Sequence, residues 1–550
     1  MRASPRLLVL GTALAALLTA GSTPVVAAAS APSRAVTAPS GTVPAATGDP
    51  VRVTGRLTSL VTDAFRSGRS TTTVGVVPDG QPAGFVRVEG LPGAAEHPLL
   101  GARVTATGRR TVTGGIRVAA SGIARASGTG STPSLAPVTA AATTGPRTYR
   151  ILAVSVRFAD DPTNAPAAPS TVAAGLFSGP TSVRAYYQDV SDGLWTLTGR
   201  AVGPYTVSRS NPSACDFQQW ANSARTAARA AGIDLSAYTN VMVVLPRQTS
   251  CGWDGLAEVP GTLSWINERT PSLLVTAHEL GHNFGEHHAS GYRCTVAGVR
   301  VMLSTAANCP DPTGTSLEYA DPFSVMGNVA ARLHHAEARV HYDLVPPTTV
   351  EAGQAETVRL APADSGSGIR VLRLTRPDGT WLAAEYRRPT GAFDTFAASD
   401  PVVNGVTFRI DRGVGLQTWL LDAKPSTASF LDAPVLPGGS VTDPLTQARV
   451  DVVSVSPTGA ILRVSSPTAP TGLAVFASGS TVIAHWGAPT GVSGVVGYDV
   501  ALDGRTQRTT SPSWSGPAAR GWHTLTVRAV GGTGTVYPPA TARVLVTGTR

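Results

Sequence analysis

The stretch His278-Glu279-Leu280-Gly281-His282-Asn283-Phe284-Gly285-Glu286-His287-His288 holds four of the ten histidines of this 550-residue chain. It follows Leu273-Leu274-Val275, so an apolar helix leads straight into His278. Residues four apart on a helix lie about 40° apart around the axis and about 6 Å along it, so the imidazoles of His278 and His282 project from one face. Two corners of a tetrahedral zinc site are thereby set. Glu279 sits one step round from His278, where its carboxylate can approach an open metal position without ligating, as a general base must. Gly285 can take a positive φ, which ends the helix and turns the chain so that His288 reaches the same metal. His287 breaks the spacing and is expected beside the site or exposed. The pattern predicts Zn2+ on His278, His282 and His288, with Glu279 as the catalytic carboxylate.

The pattern HExxHxxGxxH followed by a later Met resembles the metzincin clan of zinc peptidases. Within it, Glu318-Tyr319-Ala320-Asp321-Pro322-Phe323-Ser324-Val325-Met326-Gly327 resembles the Met-turn of the gametolysin family. Cys251-Gly252-Trp253-Asp254-Gly255-Leu256-Ala257 and Ser264-Trp265-Ile266-Asn267 are also similar to that family, and the resemblance covers roughly residues 149 to 345. It implies an α/β (α+β) metzincin-like catalytic domain, zinc at the three histidines, catalysis by Glu279 and Met326 as a hydrophobic base beneath the ligands. The chain also departs from what such families show. Some metzincins carry Tyr two residues after the Met, where this chain has Asn328, so no such tyrosine is assigned. Related secreted peptidases place Asp where His288 stands, which favours the gametolysin side. In gametolysin-like precursors a propeptide Cys can block the zinc. Here no Cys precedes Cys215, so any latency must use another group or steric cover. Met302 lacks the Asp-Pro-Phe context of Met326, and His334, His335 and His341 fall on an expected helix where pocket-shaping and satisfied or surface roles are both open.

A chain of this length should divide into about three to five domains. Residues 1–29 read as a signal peptide, with Arg2 and Arg6 before the apolar run Leu7 to Ala20 and small residues at 25–29. The run is shorter than the ~20 residues of a membrane span, so a secreted, extracellular protein without a membrane anchor is expected. Residues 30–147 read as a linker plus a small barrel-like β domain, with removal as a propeptide and retention as a binding module both open; the Gly/Ser/Thr/Pro/Ala stretch 126–146 is the natural place for a protease to cut. In the zinc metallopeptidase segment 148–348, strands are expected at Tyr149–Phe158 and, centrally, Val241–Leu245. Helices are expected at Ser182–Val190 and Gln218–Ala231. Residues 349–466 read as a β domain whose Glu385-Tyr386-Arg387-Arg388-Pro389 resembles domains following the catalytic unit in bacterial relatives, with no chemistry assigned. Residues 467–550, with Leu473, Trp486, Tyr498, Val500, Trp522, Leu525, Val527 and Ala529, resemble a fibronectin type III-like β-sandwich. Such modules bind or space, which makes this one the candidate for holding an extracellular polymer. The expected fold is thus multidomain, with all-β domains flanking the catalytic one.

The formal charge of +9 would suit nucleic acid, but 43 of the 44 basic residues are Arg and only Lys424 is Lys. With abundant Ala, Gly and Pro, that bias reads as GC-rich codon usage, and no basic cluster interleaved with aromatics is present, so no nucleic-acid partner is expected. Cys215, Cys251, Cys294 and Cys309 allow three disulfide pairings; the neighbour pairing, with the shortest loops, is the expected one. Closing the Cys294–Cys309 loop is worth about 3 kcal/mol in the chain-entropy model. No Asp-rich loop with calcium spacing is found. The expected function is hydrolysis of internal peptide bonds of extracellular protein or peptide substrates. The rival from another class is a catalytically inactive metzincin-like binding protein. Decayed enzymes tend to lose the base or a ligand, and this chain keeps Glu279 and all three histidines.

Overall fold

The computed structural model describes residues 48–548 except 82–83, 92–96, 127–144, 210, 306–308, 310–316, 328, 352–353, 414–416, 491–493 and 532–535. The expected signal segment 1–29, nearly all of the first expected linker, most of the second and Asn328 lie outside the described residues. The chain is mostly β, built from several sheets.

Five strands come first: β1 (Pro50–Ala64), β2 (Arg69–Pro78), β3 (Val86–Glu89), β4 (Arg103–Arg110) and β5 (Ile116–Arg125). β1 pairs antiparallel with both β2 and β4, β2 with β3, β3 runs parallel to β5, and β5 returns antiparallel to β4, so the pairings close a ring. Alternating side chains fill it, with Leu57, Val76, Val104 and Ile116 wholly buried.

Next come β6 (Arg147–Phe158), α1 (Pro169–Phe177), α2 (Val183–Val190), β7 (Trp195–Val207), α3 (Phe217–Ala230), β8 (Asn240–Val244), β9 (Gly255–Val259), β10 (Leu263–Ile266) and α4 (Leu273–Asn283). Their strands lie in the order β9-β10-β8-β6-β7. All pairings are parallel except β9 with β10. Ile151, Ala153, Met242 and Val244 pack on the side of α1, α2 and α4, whereas Leu152, Val154, Val241 and Val243 pack with Trp220, Ala221 and Ala224 of α3. A sheet covered on both faces has no polar side, which is why β6 and β8 read as continuous apolar runs. The expected strands and the helices α2 and α3 are found within a residue or two. α1 was not expected, because only Val172 and Leu176 of Pro-Ser-Thr-Val-Ala-Ala-Gly-Leu-Phe are buried, too few to show a period.

The sheet does not stop at β9. Residues Ser59–Asp63 of β1 pair antiparallel with Gly255–Val259, joining the barrel and the helix-covered sheet into ten continuous strands. β1 is long enough for both, pairing with β4 over 50–56 and with β9 over 59–63.

Beyond α4, Ala289–Gly291 pairs in parallel with Thr418–Leu420 in a six-stranded sheet otherwise drawn from residues 348–420. A four-stranded sheet from residues 356–465 packs on it around Leu372, Leu382, Val450 and Leu462. The last strands form sheets of three and four around Trp486, Tyr498, Val500, Leu525 and Val527. Trp522, read among that module's marker residues, is 61% exposed and is not core. The disulfides are Cys215–Cys251 and Cys294–Cys309, the expected pairing. Among the described residues no helix is long and apolar enough to cross a membrane.

Candidate metal centre

α4 begins at Ser272, whose hydroxyl accepts from the Val275 amide at 3.3 Å. It ends where Gly285 N donates to His282 O and Glu286 N donates to Gly281 O, with Gly285 at φ +105°. This double-bonded left-handed cap excludes a side chain at 285 and reverses the chain. The reversal brings the His288 ring within 5.3 Å of His278 and 5.0 Å of His282, themselves 4.7 Å apart. Met326 lies under the helix: a Cβ at Gly281 would sit 2.6 Å from its Sδ, so only glycine lets the two approach. His287 stays outside the cluster, its ring 6.4 Å from that of His282.

The ring tautomers follow from the acceptors around them. His278 Nδ1 donates to Val325 O at 2.8 Å, and His282 Nδ1 donates to Glu286 O at 2.6 Å. With the proton fixed on Nδ1, Nε2 of each ring presents a lone pair. Both Nε2 atoms are buried and have no hydrogen-bond partner among the described residues. His288 Nδ1 faces Glu318 Oε1 at 2.8 Å, an arrangement that turns its Nε2 toward the other two. Both carboxylate oxygens of Glu279 are likewise buried and unpartnered, against the backbone of Gly255 on β9. Burial first, then the neighbouring Asp63, pushes the Glu279 carboxyl well above the usual carboxylate range. Burial lowers His278 to about 4. For His288 burial also acts downward, but Asp63 and Glu318 outweigh it and raise the ring to about 9.

The fourth member of the cluster comes from the barrel. Asp63 is wholly buried, with Oδ1 2.7 Å from His288 Nε2 and 3.7 Å from His278 Nε2, and Oδ2 3.3 Å from His282 Nε2. One ligand atom from each of the four residues lies within 4.8 Å of the others. Burial would raise the Asp63 carboxyl, yet the histidines hold it well below the usual range. Tyr319 donates its hydroxyl to Asp63 Oδ1 at 2.7 Å and packs 4.3 Å from the His288 ring. Phe65 stands edge-on to His278, and Ser70 donates to Glu318.

His334, His335 and His341 belong to a supporting layer. His334 contacts Glu286, which also accepts from Tyr342 at 2.8 Å. His335 caps the helix α5 (Ala336–His341), accepting from Ala338 N, and donates from Nε2 to Thr418 at 2.9 Å. His341 pairs with Asp411 at 2.9 Å. Glu337, His341 and Asp411 also have ligand-like spacing, but Arg373 already bonds Glu337 and Asp411 as their cation. The Glu385 motif now has a role: Arg409 bridges Glu385 at 2.6 Å and Asp321 of the Met-turn at 2.7 Å. Met302 packs beside the core of the later β-sheets, away from the histidines.

Sequence reasoning thus named His278, Glu279, His282, His288 and Met326, and the structure brings all five together. It missed Asp63, Glu318 and Tyr319 as contributors. Glu318 and Tyr319 were inside the motif read for the Met-turn; Asp63 carried no signal beyond being one of few acids, with Asp49, Asp79, Glu89 and Glu96, in a cysteine-free domain.

Residues 181–367 match the family described as gametolysin peptidase M11, so this part of the chain is similar to metallopeptidases. No match is found among curated proteins. Solved structures align only over short stretches. The Clostridium perfringens spore cortex lytic enzyme SleM is 15% identical over 16% of this chain, with TM-score 0.14, and the chain spans only 33% of that protein's length. The fibronectin(III)-like modules of Clostridium thermocellum CbhA are 18% identical, covering 15% of this chain and 96% of theirs, with TM-score 0.12. The sixth fibronectin type III domain of human fibronectin type III domain containing protein 3 is 15% identical, covering 16% and 91%, with TM-score 0.14.

Proposed function

We propose that this chain is a secreted, zinc-dependent endopeptidase in which His278, His282 and His288 hold the metal and Glu279 is the general base. One observation carries the reading: three imidazoles converge in a buried pocket, the two on α4 with their lone pairs fixed inward and unpartnered, beside a carboxylate whose oxygens are also unpartnered. Leaving that many buried polar atoms without partners costs about 1–3 kcal/mol each, which an ion in the pocket would offset. Three imidazoles with a further open position suit zinc in a catalytic site. When bound, zinc supplies Lewis acidity, making a water more acidic and polarising the scissile carbonyl. The protein groups do the rest. Glu279 takes the proton of the attacking water and passes it to the leaving amine. Val325 O, Glu286 O and Glu318 keep the three rings oriented, and Met326 fixes the helix from below. Export rests on residues 1–29, and the two disulfides fit an oxidising compartment. Extracellular proteins are the substrate class.

The test combines metal analysis with hydrolysis of a quenched peptide library by protein cut in the 126–146 linker. The reading expects about one zinc per chain, cleavage abolished by chelation and restored by zinc. Cleavage that survives complete metal removal would sink it.

A further inference from the structure

The centre just described is closed. His278, Glu279 and His282 are wholly buried and His288 is 3% exposed, although a peptide bond must reach them for any hydrolysis to occur. What closes it is the barrel. Ser59–Asp63 of β1 run along the edge strand β9, in register from Ser59 opposite Val259 to Asp63 opposite Gly255, and Asp254 N donates to Asp63 O at 2.7 Å. The edge that β9 would offer to an extended peptide is thus taken along its whole length, Gly255–Val259, by the chain's own N-terminal domain. At the end of that run the Asp63 side chain turns into the histidine cluster, with one oxygen near His288 and the other near His282. Tyr319 and the His288 ring both hold Oδ1 by hydrogen bonds, and Oδ2 has none among the described residues. A buried anion with one oxygen free of hydrogen bonds, facing the Nε2 atoms of three imidazoles, has the position and chemistry of a fourth oxygen ligand.

Resting on the metal-centre reading above, we infer that Asp63 is the fourth ligand of the metal in the intact chain, so that the barrel built by β1 to β5 acts as a built-in inhibitor. Asp63 takes the coordination position a reacting water needs, while residues 59–63 fill the strand position beside β9. Removal of the cysteine route, noted from the sequence, is thereby accounted for: a carboxylate stands where a propeptide thiolate would. Activation requires β1 to leave β9, and the linker 126–146, which joins the barrel to β6, is where a cut would allow it.

The experiment uses the full-length chain loaded with Co2+, whose visible d–d absorption reports coordination directly, and acetohydroxamate as a small probe of an open metal position. The intact chain should show a spectrum that acetohydroxamate leaves unchanged. In Asp63→Asn, which keeps the side-chain shape but not the anionic oxygen, and in Asp63→Ala, the same probe should shift the bands. Zinc loss to a chelator should be faster by at least about tenfold in both variants. A wild-type spectrum that responds to acetohydroxamate as the variants' spectra do would overturn the assignment, and this arm needs no variant to fold. Metal uptake separates the two levels of the argument. Uptake abolished by His282→Ala, with an acetohydroxamate-responsive wild type, overturns only the role of Asp63; a wild-type chain that takes up no cobalt overturns the metal centre as well.

Discussion

Helix α4 with its turn and the barrel strand β1 arrive at the same cluster of ligand atoms by opposite means. The helix carries its instructions locally: Ser272 caps it, Gly285 stops it, and His278, His282 and His288 are placed by spacing alone. β1 contributes Asp63 from 225 residues before His288, and nothing near Asp63 in sequence says where it goes. The positions that hold the centre in place resemble β1 more than α4. Val325 lies 47 residues from His278, Glu318 lies 30 from His288, and Arg409 reaches the Met-turn across 88. The difference teaches that a metal-ligand pattern can be complete in eleven residues while the groups that position it are distributed over the chain.

Several substitutions separate local from distributed contributions. The largest effect belongs to the ligands themselves: His278→Ala or His282→Ala should reduce zinc from about one per chain to background in elemental analysis. Full zinc retention in either would place the metal elsewhere. Next comes Arg409→Leu, which leaves Asp321 buried without its cation and Glu385 with Arg387 alone. Breaking such a pair costs about 3–5 kcal/mol, read as a lowered denaturation midpoint. A near-neutral result would mean that the region after residue 348 is merely appended to the centre. Gly281→Ala tests packing against propensity on α4. Propensity alone predicts a gain of about 1 kcal/mol, whereas overpacking against Met326 predicts a loss of about 1–3 kcal/mol. We expect the loss. The smallest effect should come from Ser272→Ala, about 1 kcal/mol for one helix cap, measured by the same unfolding experiment. If this exceeded the effect of Arg409→Leu, the comparison would reverse and the centre would be locally held.

The same division explains what could be read before the fold was known. The histidine spacing and Gly285 are short-range patterns with one physical solution each, so the sequence located them, and the Met326 turn was read from its resemblance to the gametolysin family. β6 and β8 were legible because a doubly covered strand must be apolar throughout. α1 was not, since only two of its side chains are buried. Asp63 was invisible because its meaning depends on the register of β1 against β9, and register is set by the closed barrel and the sheet edge together. Arg387 and Arg409 read as ordinary charges in an Arg-rich chain, yet both are almost wholly buried against acids. Pairing of that kind is a tertiary fact. Composition gave no hint of it.

The most direct test of the central claim compares the linker-cut, zinc-loaded chain with Glu279→Gln prepared in the same way. The account predicts equal zinc content and a loss of roughly 10²–10⁴-fold in peptide hydrolysis, the range for removing a positioned general base. Equal hydrolysis by the two proteins at equal zinc content would contradict it.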